Sequence, residues 1–128
     1  MTPENKLKYA ILDLAHIWEH DSPIRTDLTD EQVEDLWDET DVGEALNEIR
    51  TSGIETGLDC ESDRHYESDA VAVQCPTGEW VGFTYWYGGG KHGEPEAIDW
   101  IEYAYDVNCK EEQKMVTVQT FTKGEPNA

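Results

Sequence analysis

The sequence predicts an α+β fold in which N-terminal helices pack on one face of a three- to four-stranded antiparallel sheet with meander topology. Over residues 3–52, apolar residues recur at three- and four-residue spacing, which is the period of a helix. From residue 69 onward, apolar and polar residues alternate instead, which is typical of strands. The connections between these runs are short, so each strand is expected to pair with the next one along the chain.

Length and composition indicate one folded unit. The chain has 128 residues, and we expect a single domain over residues 1–123 followed by a tail at residues 124–128. Its five tryptophans and six tyrosines argue against disorder, because acidic disordered chains are poor in aromatic residues.

The first helix is predicted to begin at Pro3, with Thr2 as its N-cap, because proline at this position lacks an N–H that would be unpaired anyway. An apolar face follows at helical spacing. It consists of Leu7, Ala10, Ile11, Leu14 and Trp18. The Asp-Ser-Pro run at residues 21–23 ends the helix, and Asp13, His16 and His20 are expected to face solvent.

The start of the second helix is predicted by two local patterns. Thr29 and Gln32 form a capping box, and Leu28 can pack on Val33 as a hydrophobic staple. The inner face is then predicted to hold Val33, Leu36, Trp37 and Thr40. Continuing the same register would place the next apolar residues on the wrong side, so we expect a break near Asp41.

A third helix is predicted after this break. Asp41 with Glu44 forms an acceptable cap, and the run at Ser52 and Gly53 is a stop signal. Its apolar face is expected to hold Val42, Ala45, Leu46 and Ile49.

Strands are predicted in the second half of the chain. Residues 54–69 are irregular and read as a loop or an edge strand, and Gly88 to Pro95 is a glycine-rich connection. The predicted strands cover residues 69–74, 80–87, 98–107 and 115–122. In the second of these, Val81, Phe83, Tyr85 and Tyr87 should share one face.

Negative charge is concentrated in residues 27–69, which hold sixteen Asp and Glu against two Arg and so carry −14 of the net −20. Such a charge repels nucleic acid and anionic membranes and favours a basic partner. On the predicted second helix, Asp30 and Glu34, and likewise Asp35 and Glu39, are like-charge i,i+4 pairs, each destabilising by about 0.2–0.5 kcal/mol. Fourteen charges match about 24 Å of duplex DNA, and 21 helical residues would span about 32 Å.

This charge density suits a nucleic-acid mimic that occupies the basic groove of a nucleic-acid-binding host protein. The residues expected to bind the partner are Glu31, Glu34, Asp35, Asp38, Glu39, Glu44 and Glu48. Two other interpretations stay open. One is an acidic surface with no single partner, and the other is a halophilic surface, although that would spread charge over the whole chain.

A second hypothesis places a small enzyme or ligand site at the glycine-rich connection. There His92 would act as general base and Glu94 would orient it, beside Lys91. Trp86 and Trp100 would wall the site. The connection lacks the Gly-Lys-Ser/Thr of a phosphate-binding loop, and no nucleophile is visible.

A third hypothesis is a homodimer. Trp80, Trp86 and Trp100 alternate away from the inner face of the sheet and could associate with those of a second copy.

Metal and cofactor motifs are incomplete, so we expect neither. His16, Glu19 and His20 match an H-x-x-E-H zinc pattern, but a third ligand and a cleft have no obvious source. Residues 59–63 resemble the start of a calcium loop, but Arg64 stands where glycine is required. Three cysteines without a CxxC pair fit reduced thiols, and the N-terminal run has no apolar core of a signal peptide or membrane span. We therefore expect a cytoplasmic protein.

Three runs carry a family resemblance: RHYES at residues 64–68, WVGFTYWYGGGKHGEP at residues 80–95 and VTVQTF at residues 116–121. They are similar to small acidic proteins carried by tailed bacteriophages and prophages. The resemblance covers about the C-terminal half and implies an accessory protein acting in the cytoplasm of a bacterial host. By analogy with phage inhibitors that block restriction enzymes, CRISPR effectors or uracil-DNA glycosylase, it implies a counter-defence role.

Overall fold

The computed structural model describes residues 1–113 and 115–124, apart from the side chain of His92. Three helices come first, α1 (Pro3–His20), α2 (Asp30–Glu39) and α3 (Gly43–Ser52). Four strands follow, β1 (Ile54–Glu55), β2 (Glu67–Gln74), β3 (Trp80–Tyr87) and β4 (Tyr105–Val107). They form one antiparallel sheet in the order β1-β2-β3-β4. The predicted α+β meander is confirmed.

Helix α1 is the centre of the fold, because it contacts α2, α3 and three of the strands. The Thr2 hydroxyl accepts a hydrogen bond from the N–H of Asn5 at 3.2 Å, which caps the helix as predicted. One face, with Leu7 and Ile11, packs on the inner face of the sheet, and another, with Tyr9 and Leu12, packs with Val33 of α2. The helix therefore buries two faces, whereas its apolar periodicity predicted only one.

The last turn of α1 corrects one expectation. Trp18 was predicted on the buried face, but its side chain is 52% exposed, and Ile17 beside it is exposed too. The other helices and the sheet bury only the first three turns of α1. The apolar periodicity of the sequence continues beyond those turns, into a part of the helix that these elements leave partly or fully exposed.

The inner face of the sheet is built by the central pair of strands. Val71 and Val73 of β2 lie opposite Phe83 and Val81 of β3, and all four side chains are buried. On the outer face, Gly82 gives room for the ring of Tyr105, because a Cβ at Gly82 would lie 2.5 Å from that ring. The close approach explains a glycine in the middle of a strand.

Two predicted strands are wrong in part or whole. The strand expected at residues 98–107 is reduced to β4, because Trp100 and Ile101 instead enter the core from a loop that turns at Ala104. The strand expected at residues 115–122 is not formed, and Val116 and Val118 there are 78% and 81% exposed. A strand needs a neighbour for its backbone hydrogen bonds, and the sheet of the described residues ends at β4.

The remaining expectations concern the ends of the chain and the membrane. Residues 125–128 of the expected tail lie outside the described residues. None of the described helices combines the length and the apolar character that crossing a bilayer requires.

Candidate functional site

The acidic face, as we call the outward side of α2 and α3, carries the seven residues predicted to bind a partner. All seven are exposed, and they are Glu31, Glu34, Asp35, Asp38, Glu39, Glu44 and Glu48. The structure divides them between two ten-residue helices separated at residues 40–42, which confirms the predicted break near Asp41. Each helix is about 15 Å long.

Capping hydrogen bonds fix α2 at its start. The Thr29 hydroxyl accepts from the N–H of Gln32 at 3.3 Å, and the Gln32 side chain accepts from the N–H of Thr29 at 2.9 Å. This reciprocal pair is the predicted capping box. At the start of α3, the Asp41 carboxylate accepts from the N–H of Gly43 at 3.2 Å, while Val42 stands at the N-cap position without a side-chain bond.

The inward sides of the two helices hold them against the body. Val33 is fully buried, and Ala45 is 2% exposed in the main core. Trp37 is partly buried, and the ammonium of Lys8 from α1 lies 5.5 Å from the centroid of its ring, a cation–π contact. The carboxylates on the outward side are therefore carried by anchored backbone.

A polar anchor that the sequence did not reveal joins α1 to α2. Asn5 is 3% exposed, and its side-chain amide donates to Asp30 at 2.8 Å and to Glu34 at 3.1 Å. The same carboxylate of Asp30 accepts from the N–H of Thr2 at 3.2 Å. Hydrogen bonding from Asn5 lowers the pKa of Asp30, against the opposing effect of burial. Two like-charged side chains one turn apart are thus bridged by one amide.

The basic side chains nearest to the helices pair with groups other than the seven carboxylates. Lys6, Lys8 and Arg25 pair with acids outside this set. Arg50 donates to the carbonyl of Trp86 and lies 5.0 Å from the ring centroid of Tyr85. Across residues 1–113 and 115–124, none of the seven carboxylates forms a salt bridge. Their charge is not neutralised within the described chain.

An exposed aromatic side chain borders the acidic face. A groove of about 320 Å³ is lined by Ala15, Trp18 and Glu19 of α1 and by Asp41, Glu44 and Ala45 around the start of α3. Trp18 therefore lies beside three carboxylate-bearing residues. Sequence reasoning assigned Trp18 to the core, and the local pattern held no signal that would have placed it here.

The glycine-rich connection does not have the walls expected for an enzyme site. Trp100 is 5% exposed and packs against Phe83 on the inner face of the sheet, with ring centroids 4.8 Å apart. Trp86 is 6% exposed and, by strand alternation, lies on the outer face. The two rings lie on opposite sides of the sheet, so the expectation that both wall one site is wrong.

The polar residues of that connection are only partly placed. Lys91 and Glu94 are exposed, and the N–H of Glu94 donates to the Tyr66 hydroxyl at 3.3 Å. Gly88, Gly89 and Gly90 all have positive φ, which explains the three glycines as a backbone requirement. The side chain of His92, expected as general base, lies outside the described residues.

The tryptophan surface that was predicted to form a homodimer is not exposed. Trp86 and Trp100 are buried, and Trp80 is half-buried. The alternation along β3 places Trp80 and Trp86 on the outer face as predicted, but Trp86 is buried there, and so is Ala70 on the neighbouring strand.

The candidate metal ligands on α1 have protein partners. The rings of His16 and His20 lie 4.5 Å apart, and Nδ1 of His16 is 2.8 Å from the carbonyl of Ser22. Among the described residues there is no cluster of three or more His, Cys, Asp or Glu that could hold a metal ion.

Comparison with known proteins gives no further assignment, since no family model, curated protein or solved structure matches the chain.

Proposed function

We propose that the acidic face binds the basic nucleic-acid groove of a bacterial host protein and blocks that groove, as a mimic of nucleic acid. The observation that carries the proposal is the set of seven exposed carboxylates on two anchored helices, none paired with a cation in the described chain. A basic groove that normally neutralises phosphates would neutralise these carboxylates instead.

The cost of the arrangement supports this proposal over a merely solvated face. Asp35 lies four residues from both Glu31 and Glu39, and such like-charge pairs destabilise a helix. A solvated face that only kept the protein in solution would be more stable with interspersed lysines. A binding face gains from unpaired carboxylates, because the partner supplies the cations.

Trp18 adds a feature suited to the same partner. Aromatic residues beside charged groups are frequent hot spots of protein interfaces. A guanidinium of the partner could stack on the indole and pair with Glu44 or Asp41 in the same groove.

The phage setting implied by the C-terminal half is consistent with counter-defence, which would include inhibition of restriction, CRISPR or repair proteins. The chemistry of the acidic face fits a target with a cationic groove that accepts duplex or single-stranded nucleic acid.

Affinity capture tests the proposal directly. The full chain is immobilised and exposed to nuclease-treated bacterial lysate at low salt, and bound proteins are eluted first with a mixture of duplex and single-stranded DNA and then with high salt. We expect nucleic-acid-binding proteins in the DNA eluate, because DNA competes for the same groove. Their absence, or their equal retention on a Trp18→Ala, Asp38→Lys double variant, would refute the assignment.

A further inference from the structure

The segment at residues 115–124, which we call the C-terminal segment, is apolar yet exposed. Met115, Val116, Val118 and Phe121 are 104%, 78%, 81% and 85% exposed. No regular secondary structure forms over residues 115–124. Its Val-Thr-Val-Gln-Thr run nevertheless alternates β-branched and polar residues, which is typical of a strand with one buried face. The sequence is built for pairing that a single copy of the chain does not supply.

The charge of this segment is opposite to that of the rest of the molecule. Lys114 precedes it and Lys123 lies within it, and residues 113–124 contain no Asp or Glu. Residues 113–124 therefore carry a charge of +2, and the rest of the chain carries −22, for the net −20. Electrostatic attraction therefore favours contact of this segment with the acidic body of a copy of this chain over contact with a basic partner.

A groove that fits an apolar strand lies on the outer face of the sheet, away from the helices. It measures about 380 Å³. Its apolar lining consists of Ile54, Leu58, Ala72, Trp80 and Val107. Ile54 and Leu58 are 60% and 52% exposed, and the carboxylates of Glu55 and Glu111 outnumber the one ammonium in the lining, that of Lys110. The groove therefore has apolar walls and a net negative charge, whereas the C-terminal segment is apolar and positively charged.

The chain's own segment is poorly placed to fill this groove. Residues 108–111 run along it directly after β4, so the segment would have to reverse within a few residues to return. Tight reversals rely on glycine, proline, asparagine or aspartate, and residues 109–122 contain none of them. A second copy can enter without any reversal.

We propose that two copies of this chain form a reciprocal dimer in which Val116 and Val118 of each copy insert into the outer-face groove of the other. The same contact is made twice, as two-fold symmetry requires. The edge strand β1 borders the groove and offers its backbone to an added strand. The predicted strand at residues 115–122 then forms, in the partner's sheet instead of its own.

The dimer is independent of the proposed mimicry, because the groove is on the sheet and the acidic face is on the helices. The two also respond differently to salt. Binding through carboxylates weakens as salt rises. Salt also screens the attraction of the two lysines at residues 114 and 123 to the acidic body, but the repulsion between two chains of −20 is the larger effect, so the apolar contact is retained or strengthened.

Sedimentation velocity of the full chain over a wide concentration range tests the dimer. We expect a concentration-dependent shift from monomer to dimer that survives high salt. A Val116→Ser, Val118→Ser variant should remain monomeric at concentrations where the matched Thr117→Ser, Gln119→Ser variant, altered on the opposite side of the strand, still dimerises. A wild-type chain that stays monomeric, or a valine variant that dimerises normally, overturns the proposal.

Mixing two defective variants tests whether the C-terminal segment of one copy docks in the groove of another. An Ile54→Ser, Leu58→Ser variant lacks the groove but keeps the segment, and both residues are at least half exposed, so folding should be retained. Alone it should be monomeric, as should the valine variant. Mixed together, the two should form a heterodimer through the one intact contact. If the mixture remains monomeric, the segment does not dock in the groove of a second copy.

Discussion

The side-chain amide of Asn5 lies 2.8 Å from the carboxylate of Asp30 in a contact that is buried on the asparagine side and half open on the aspartate side. Because the same amide also donates to Glu34, it joins the N-terminal turn of α1 to the first two turns of α2. This contact adds to the burial of Val33 in fixing the α2 part of the acidic face against α1.

Replacing Asn5 with Ala should lower the free energy of unfolding by about 1–3 kcal/mol, because hydrogen bonds to two carboxylates are lost. Asn5→Asp should be more destabilising at neutral pH, since three carboxylates would then meet, and this excess should shrink in acid. Urea unfolding measures both. Asn47→Ala is the matched control, because Asn47 is an exposed helical asparagine and should change stability little. Equal effects at the two positions would contradict the anchoring role.

The depressed pKa of Asp30 makes a pH prediction. Hydrogen bonding from Asn5 favours the charged form, so the folded carboxyl has a pKa below its ordinary value of 3.8. The unfolded chain then binds the proton first as pH falls. The resulting stabilisation is fully present above 3.8 and is lost as pH drops through the lower, folded value. NMR titration of the Asp30 carboxyl should show this, and Asn5→Ala should raise its pKa toward the ordinary value. An unchanged pKa in that variant would argue against Asn5 as the cause.

Lys6 makes the corresponding prediction in alkali. It is 8% exposed, and its ammonium lies 2.6 Å from Asp106 and 2.5 Å from Glu79. Hydrogen bonding to Asp106 and then to Glu79 raises the pKa of Lys6 above 10.5. The stabilisation is therefore full below 10.5 and is lost as pH rises through the higher, folded value.

The two ways of breaking this ion pair should differ. Asp106→Ala with Glu79→Ala leaves a buried ammonium unpaired and should cost about 1–3 kcal/mol. Lys6→Met leaves two carboxylates that are already more than half exposed, so it should be close to neutral. Thermal unfolding at pH 7 compares the variants. A larger loss for Lys6→Met than for the double variant would show that the acids, and not the lysine, need the partner.

The helices and the central strands could be predicted from sequence because their signals are local. The capping box at Thr29 and the alternation along β3 each lie within a few residues. Asn5 and Lys6 could not be found this way, because their partners are 25 to 100 residues distant and a polar residue on a helix is expected to face water. Only the three-dimensional arrangement around α1 makes their burial understandable.

The same distinction applies to the candidate site. Exposure of the seven carboxylates followed from the helical period, since the opposite side carries Val33 and Ala45. The role of Trp18 did not, because helical periodicity cannot tell where the packing partners of α1 end. Trp86 was misplaced because strand alternation gives the face of a residue but not what covers that face. Trp100 was misplaced because the strand predicted around it does not form and its side chain enters the core from a loop.

Charge reversal on α2 separates stability from binding. Asp35→Lys with Asp38→Lys replaces the like-charge pairs of Asp35 with Glu31 and Glu39, and that of Asp38 with Glu34, by opposite-charge pairs. Each opposite-charge pair contributes about 0.2–0.5 kcal/mol to an exposed helix. The variant should therefore unfold at an equal or higher temperature than the wild type, while its capture of nucleic-acid-binding proteins should fall sharply.

The matched control changes the charge by the same amount on the irregular segment before β2, as Asp59→Lys with Glu61→Lys, both exposed residues. If binding depends on the fixed array, this control should retain capture at low salt, because only the long-range attraction is reduced. If it depends on net charge alone, both variants should lose capture equally. Equal loss would reduce the acidic face to a source of diffuse attraction, whereas selective loss on α2 requires a partner that reads the positions of these carboxylates.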